Sequence, residues 1–329
     1  MERIDFVVTW VDGSDPAWIE KRNKYSKEPV SESRFRDWGF LKYWFRAVED
    51  FAPWVNKIHF ITEGHLPDFL NIDHPKLNIV RHEDYIPQEY LPTFNSNTIE
   101  LNIHRIEGLS EKFVYFNDDI YLNRSVKAGD FFKRNLPRDC GIINPIAPAF
   151  YNSIGNIMLN NIGLINSRYK KHQVIKKDVF KWFNYRYGVL NFLNLIFLPW
   201  PRFPGLLQTH LHSNFLKSSF DELWQEVEEV LHKTCRNRFR SNFEDINQWL
   251  IKEVQLVQAK FSPQSPRVGV YHMVRQVEDA RRAAESLKKG KAMSVCINDH
   301  CDDEVYRESY EILKEAFESR LNKRSSFEL

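Results

Sequence analysis

The sequence is poor in the features that usually assign a protein at a glance. Cysteine is scarce: four residues, Cys140, Cys235, Cys296 and Cys301, stand in a chain of 329, and their scatter implies no disulfide framework. Cys296, His300 and Cys301 are close enough to raise a metal knuckle, but no second cysteine pair stands at zinc spacing, so free thiols are the simpler reading. Charge of one sign is not in excess either. Lys and Arg number 46 against 44 acidic residues, a net of +2, which argues against a nucleic-acid partner, since such proteins are usually markedly basic. Long apolar runs are missing too. No window approaches the roughly 20 apolar residues that a bilayer span requires. The opening MERIDFVVTWVDG carries charges at once and reads as a strand rather than a signal peptide. The expectation is a cytoplasmic protein, with peripheral attachment to a membrane left open.

What is present is enough apolar residue for a sizeable core, 43% of the chain with 14% aromatic, which suits one large α/β domain or two smaller ones. The organising stretch is Leu91–Leu122, LPTFNSNTIELNIHRIEGLSEKFVYFNDDIYL. Ile99, Ile103 and Ile106 recur at helical spacing, and Gly108 ends that helix as a C-cap glycine would. Phe113–Phe116 is a short β-branched and aromatic run, the pattern of a buried strand. Asn117, Asp118 and Asp119 come directly off its end. Ligands of open α/β sheets bind beyond the carboxyl ends of the strands. Adjacent carboxylates there form a hard-oxygen site suited to Mg²⁺ or Mn²⁺ held against a phosphate. Asn-Asp-Asp is also ordinary turn chemistry, so these residues by themselves leave both readings open.

The rest of the chain alternates strand and helix. Ile4–Val11 reads as a central parallel strand with Asp12 at its carboxyl end, either an acid facing a nucleotide or metal, or the start of a turn and helix cap before Pro16. The hydrophilic segment 21–37 predicts a loop over the site or a solvated connection, closed by Arg34, Arg36 and Asp37. Two arginines there could clamp phosphate, although such residues more often form surface ion pairs. Trp38–Phe51 predicts an amphipathic helix with Leu41, Phe45 and Val48 on one face. Strands at Lys57–Thr62 and Leu77–Val80 complete a doubly wound alternation, and Val126–Phe132 suits a short helix. Lys181–Pro204, KWFNYRYGVLNFLNLIFLPWPRFP, is dense in aromatics. The favoured reading is a helix buried against the main domain; the other is a membrane-facing or acceptor-binding helix with Trp and Tyr at the interface.

Further on, His210 and His212 lie close together and Asp221–Leu231 is helical. Asn242 is placed to cap a helix carrying Ile246 and Leu250 inward. Arg238 and Arg240, if extended, would point the same way and could grip a diphosphate; a solvated basic turn is the alternative. Val277–Lys289 predicts a helix stopped by Gly290. Ser294–Asp299 predicts a last strand ending in Asn298 and Asp299; if that end shares a cleft with Asp118 and Asp119, oxygen ligands for a cation accumulate. Val305–Leu321 closes as an amphipathic helix, and residues 322–329 predict a frayed tail.

Four blocks taken together are more specific than any one. They are IDFVVTWVDGSDPAW (Ile4–Trp18), FRDWGFLKYWFRAVEDFAPWVNKIHFITEGHLPDFL (Phe35–Leu70), the stretch Leu91–Leu122, and the later pair HLHSNF and RFRSNFEDIN followed by CINDH. In this order they closely resemble the Stealth family of bacterial capsular and exopolysaccharide sugar-phosphate transferases. That family is related to the catalytic part of the lysosomal-enzyme N-acetylglucosamine-1-phosphotransferase. The resemblance covers nearly the whole chain. It implies an α/β fold: a Rossmann-like, GT-A-like, mostly parallel sheet flanked by helices, with a helical aromatic-rich insertion. It implies a nucleotide-sugar-binding core over residues 1–165, the insertion over 166–206, completion of the catalytic core over 207–321, and the tail 322–329.

The activity implied is transfer of a hexose 1-phosphate from a UDP-GlcNAc-like nucleotide sugar to a hydroxyl of a polysaccharide or oligosaccharide acceptor, with Mg²⁺ or Mn²⁺. A place at the cytoplasmic face of the inner membrane, or beside the capsule assembly machinery, fits that activity. By motif position, the resemblance implies catalytic roles for Asp12, His210 and Arg240, substrate contacts for Asn95, Glu100 and His104, and cation ligands in Asp118 and Asp119. The residues' own placement adds Asp37 to the catalytic candidates, Trp10, Gly13, Arg36 and Arg238 to the substrate or nucleotide contacts, and Asn298 and Asp299 to the cation ligands. One departure stands out. Many relatives carry a Glu-Leu pair in the second block where this chain has Gly39-Phe40-Leu41, and Asp37 is the acid nearby.

Attack on a phosphorus joined to a second phosphate needs charge neutralisation and alignment more than covalent help. A cation at Asp118 and Asp119 and guanidinium groups from Arg240 and Arg238 supply that, and His210 brings an imidazole, the side chain most suited by nature to a general base, with Asp12 and Asp37 as rivals. An ordinary GT-A glycosyltransferase would use similar parts but release nucleoside diphosphate rather than monophosphate. A carbohydrate-binding module would leave the clustered Asp and Arg without a purpose.

Overall fold

The run Ile-Asp-Phe-Val-Val-Thr becomes the centre of the molecule. In the computed structural model, which describes residues 3–26 and 36–329, it forms β1 (Ile4–Thr9). Arg34 lies outside the described residues. The strands that follow are β2 (Ile58–Thr62), β3 (Leu77–Arg81), β4 (Lys112–Asn117), β5 (Ile120–Leu122), β6 (Phe132–Lys133), β7 (Leu136–Asp139), β8 (Ser213–Leu216), β9 (Ser262–Pro263), β10 (Gly269–Val274) and β11 (Ser294–Asp299). The main sheet has the order β3-β2-β1-β4-β8. Its first four strands are parallel, and β8 runs antiparallel to β4 at the edge. That is the doubly wound arrangement with an antiparallel edge strand, and the fold is α/β as expected.

Strand side chains alternate between the two faces of a sheet, and both faces here are apolar. Phe6, Val8, Val114 and Phe116 pack on one side with the helices Leu41–Phe51, Val277–Lys289 and Asp303–Glu318. Val7, Phe113, Tyr115 and Ile61 pack on the other with the helices Lys217–Glu226, Glu228–Arg236 and Trp249–Val257.

The turn after β4 positions the site. The chain leaves β4 at Asn117, turns through Asp118 and Asp119, and enters β5, which pairs antiparallel with β11 in a second sheet of order β10-β11-β5. Because Ile120 pairs with Cys296 and the Ile297 N–H donates to the Asp119 carbonyl at 2.9 Å, Asp119 is delivered beside Cys296–Asn298. The third sheet, β6-β7-β9, lies before and after the insertion in sequence.

Several local expectations are corrected. Residues 322–329 are not frayed: Phe327 is buried, the Arg46 guanidinium binds the Glu328 carboxylate at 2.8 and 2.6 Å, and the Leu329 N–H donates to the Phe69 carbonyl. The helix expected over Asp221–Leu231 is two helices, Lys217–Glu226 and Glu228–Arg236, because Val227 takes φ −135° and turns its side chain into the core. Asn242 caps no helix; the next one begins at Trp249, and Asp245 instead draws the intervening loop inward.

The insertion is also not one buried helix. It is a succession of short turns, Lys171–Lys177, Val179–Trp182, Tyr185–Leu190 and Asn191–Ile196. Trp182 and Tyr187 are buried, while Phe180 and Phe192 face solvent. Among the described residues, no helix is long and apolar enough to cross a membrane.

Candidate active site

The carboxyl ends of the parallel strands open onto a cleft of about 360 Å³. Its lining gathers segments far apart in sequence: Trp10 after β1, Arg36 and Asp37, Ser96 and Glu100 from the helix Ser96–Leu101, Asp118 and Asp119 after β4, His210 before β8, Arg240, and Asn298 and Asp299 ending β11. The two strand ends carrying Asn-Asp-Asp and Asn-Asp do share this cleft.

Its acids are held at a cost. Burial, with the negative charges of Asp119 and Asp37, raises Asp118 well above the ordinary carboxylate range. Burial and the charge of Asp12 likewise raise Asp37, against hydrogen bonds donated by Trp10 Nε1 at 2.8 Å and the Gly39 N–H at 2.8 Å. Burial pushes Glu100 up to about 7, opposed first by the charge of Arg240. Glu100 Oε1 accepts from the Tyr115 hydroxyl at 3.4 Å, which itself meets Thr9 Oγ1 at 3.0 Å. Clustered buried acids with raised pKa values mark a place where a cation lowers the free energy of the charged form.

Among the residues lining the cleft, three buried atoms lack a hydrogen-bond partner, Trp38 Nε1, Asp119 Oδ1 and His210 Nε2, and the last two face each other's side chains. Buried polar atoms are rarely left so. Asp119 Oδ2 accepts from Asn298 Nδ2 at 2.9 Å and lies 3.9 Å from His210 Nε2. His210 is presented from a backbone with φ +44°, a conformation L-residues seldom adopt. Asp119, His210 and Cys296 each bring a ligand atom within 4.8 Å of the others. Burial and Asp119 hold the Cys296 thiol well above its ordinary pKa, so it donates to Asp119 Oδ2 at 3.3 Å rather than offering a thiolate. Within that triad the carboxylate of Asp119 is the hard oxygen donor.

Other expected residues sit differently. Both carboxylate oxygens of Asp299 accept from Arg36, at 2.7 and 2.9 Å, which removes it from the free oxygen ligands. Arg36 in turn is committed: it also donates to Asp303 at 2.6 Å and the Cys301 carbonyl at 2.7 Å, and its guanidinium lies 4.2 Å over the Tyr306 ring. Asp12 and Gly13 form the turn after β1 outside the cleft lining, with Asp12 Oδ1 accepting from the Ser14 N–H at 2.8 Å and hydroxyl at 2.6 Å.

Asn95 is fully buried and caps the helix Ser96–Leu101. His104 is buried against Phe220 and Trp224, where burial and nearby Arg105 and Lys217 push its pKa down to about 3. Arg238 and Arg240 do not point together. Bends in the segment send Arg240 to the cleft, donating to Ser96 Oγ, and Arg238 over the ring of Tyr25 at 4.5 Å.

Some lining residues were not foreseen. Tyr115 reads in sequence as one more aromatic of a buried strand, and only its hydroxyl distinguishes it. His82 follows β3 directly, and burial with His65 and Lys21 pushes it down to about 3. Asp245 is the hub of the Arg240 loop: fully buried, it accepts from Asn95 Nδ2 at 2.8 Å, Asn97 Nδ2 at 3.0 Å, Asn237 Nδ2 at 2.8 Å and the Ser241 N–H at 3.0 Å.

The strand ends of this doubly wound sheet gather buried acids, a histidine and an arginine on one cleft, an arrangement able to bind a charged group and transfer it. The model of Stealth protein conserved region 1 matches residues 2–28, and that of conserved region 2 matches residues 34–139. The capsular polysaccharide phosphotransferase WcwK of Streptococcus pneumoniae is 43% identical over 334 residues, spanning 100% of this chain and 98% of that protein. The exopolysaccharide phosphotransferase cps2G of Lactiplantibacillus plantarum is 41% identical, spanning 99% and 96%. The receptor polysaccharide phosphotransferase WefC of Streptococcus oralis is 37% identical over the full length of both chains. The chain belongs to the Stealth family.

Proposed function

We propose that this chain is a capsular or exopolysaccharide phosphotransferase. It moves a hexose 1-phosphate, an N-acetylhexosamine 1-phosphate in the preferred case, from a UDP-GlcNAc-like nucleotide sugar to a hydroxyl of a polysaccharide or oligosaccharide acceptor. The acceptor oxygen bonds to the phosphorus next to the sugar, the bridge to the nucleoside phosphate breaks, and nucleoside monophosphate leaves with the bonding pair. The names of the full-length relatives support the class of reaction. The observation that carries the site is the buried, unpartnered pair Asp119 Oδ1 and His210 Nε2 between raised acids and Arg240.

Asp118 and Asp119 would hold Mg²⁺ or Mn²⁺; when bound, the cation supplies neutralisation of the diphosphate. Arg240 donates to the non-bridging oxygens. His210 takes the acceptor's proton, a role favoured over Asp37, whose two oxygens already accept hydrogen bonds, and over Asp12, which lies outside the cleft lining and accepts from Ser14. Glu100, tuned to about 7, adjusts the charge next to Arg240 near neutrality. The nucleotide-sugar core over 1–165, cytoplasmic placement and peripheral association with the inner membrane or capsule assembly machinery belong to the same proposal.

The test is incubation with a panel of nucleotide sugars, Mg²⁺ and a capsule oligosaccharide, with the released nucleotide read by mass. Nucleoside monophosphate formed only with acceptor present supports the reading. Nucleoside diphosphate overturns it in favour of a glycosyltransferase.

A further inference from the structure

The helix Asn191–Ile196 is built inside out. Its buried residue is the polar one: Asn194 is fully buried, donating to the carbonyls of Gly141 at 2.8 Å and Trp182 at 2.5 Å and accepting from the Ile143 N–H at 2.6 Å. Phe192, Leu195 and Ile196 face outward, with Phe192 62% and Ile196 63% exposed. The turns on either side do the same. Phe180 is 83% exposed, Tyr185 is exposed with Arg186 stacked 4.5 Å over its ring, and Trp200 is 56% exposed. Single exposed apolar side chains are ordinary. A run of them on successive short turns is not, and marks a surface that meets an apolar partner.

This shape is held rather than loose. Buried Lys171 donates from Nζ to the carbonyls of Phe197 and Leu198, capping the outward helix from below. Asn191 Nδ2 donates to the carbonyls of Asn184 and Gly188, and its Oδ1 accepts from the Asn184 N–H. Polar side chains therefore fix the inner side so that the apolar side stays out.

Charge selects the partner. Residues 166–206 carry eight Lys and Arg against a single acid, Asp178, in a chain whose net charge is only +2. Lys170, Lys176, Lys177 and Arg202 are exposed and flank the apolar turns in sequence. An outward apolar face edged by unbalanced positive charge, with Trp and Tyr at the boundary, matches the upper layer of an anionic lipid leaflet. A second copy of this chain would bring the same positive charge to the contact and be repelled by it.

We propose that the outward face of residues 179–200 docks the protein on a membrane: its apolar side chains enter the headgroup–acyl boundary, and the basic residues that flank it at 170–177 and 202 bind anionic headgroups. The proposal rests on the functional reading only for which membrane is met.

The test is flotation of the full chain with vesicles of phosphatidylcholine alone or mixed with phosphatidylglycerol, at low and high salt. The wild type should float with the anionic vesicles and much less with the neutral ones. F192S/I196S, at solvent-facing positions, should lower the bound fraction at least tenfold without shifting the melting temperature. K176E/K177E should lose the preference for anionic lipid. Both variants should release nucleotide with a soluble acceptor at the wild-type rate, so failure of the functional reading shows as no turnover by the wild type whatever the vesicles do. A wild type that stays in solution overturns the proposal. So does F192S/I196S floating as well as the wild type, or a wild-type dimer in sedimentation that this variant dissociates.

Discussion

The cleft and the insertion break the usual rule of burial in opposite directions. In the cleft, carboxyl groups are withdrawn from water: Asp118 and Glu100 keep raised pKa values, and Asp119 leaves an oxygen without a partner. In the insertion, aromatic and aliphatic side chains are pushed into water while Asn194 and Lys171 are withdrawn from it. A sequence that specifies one fold tends to violate local rules where function needs it. The direction of the violation tells what is missing. Buried acids fit the cation proposed for the cleft, and exposed apolar turns fit the apolar surface proposed for the insertion.

The largest expected effect breaks the cleft alone. Asp119→Asn should lower kcat/KM by about 10³-fold or more while leaving the melting temperature within a few degrees. Unchanged activity would remove Asp119 from the chemistry. The next comparison runs through the insertion. Trp182→Ala, in the core, should cost about 3–5 kcal/mol. Phe192→Ser should stay within about 0.5 kcal/mol, and denaturant unfolding of the two variants reads the difference. Asp245→Ala strands the amides of Asn95, Asn97 and Asn237 and should cost about 2–4 kcal/mol, with a loss of activity larger than Asp245→Asn produces.

Glu100 sharpens the account through pH. A carboxyl whose folded pKa is raised keeps a proton that the unfolded chain has already lost, so stability falls as pH rises from its ordinary 4.5 to about 7, and changes no further above. Buried Glu253, raised to about 8, adds a similar slope. The difference between wild type and Glu100→Gln therefore isolates Glu100. The variant's melting temperature should fall less between pH 5 and pH 8, a window chosen to bracket that transition at about 7; parallel curves would contradict the assignment. The smallest effect separates neighbours. Arg240→Ala should reduce turnover strongly, and Arg238→Ala, an exposed stacking residue, only a few-fold.

Much of the scaffold was legible because local pattern and fold agree. Ile4–Val11 and Phe113–Phe116 read as buried strands since both faces of a parallel sheet are covered, and they fall on β1 and β4; Gly290, at φ +61°, ends its helix as its position suggested. The acids after β4 and β11 were legible as strand-end residues, and register brings them together. What escaped depends on tertiary contacts. Arg238 and Arg240 separate because Asp245 folds their loop onto Asn95 and Asn97. Asn95 and His104 lie in a motif with cleft residues yet support the cleft from within the core. Asp299 faces the cleft, but Arg36, more than two hundred and fifty residues earlier, claims its oxygens. The insertion's aromatics gave no helical phase to say which would face inward, and that choice is made by Asn194 and Lys171.

The central claim is that the bond broken lies between the two phosphorus atoms of the donor. A nucleotide sugar labelled with ¹⁸O in the oxygen joining the sugar to phosphorus tests it directly. The account predicts that the label stays with the sugar phosphate in the phosphodiester product and that unlabelled nucleoside monophosphate is released, with turnover lost in excess chelator. Label leaving on nucleoside diphosphate would contradict it.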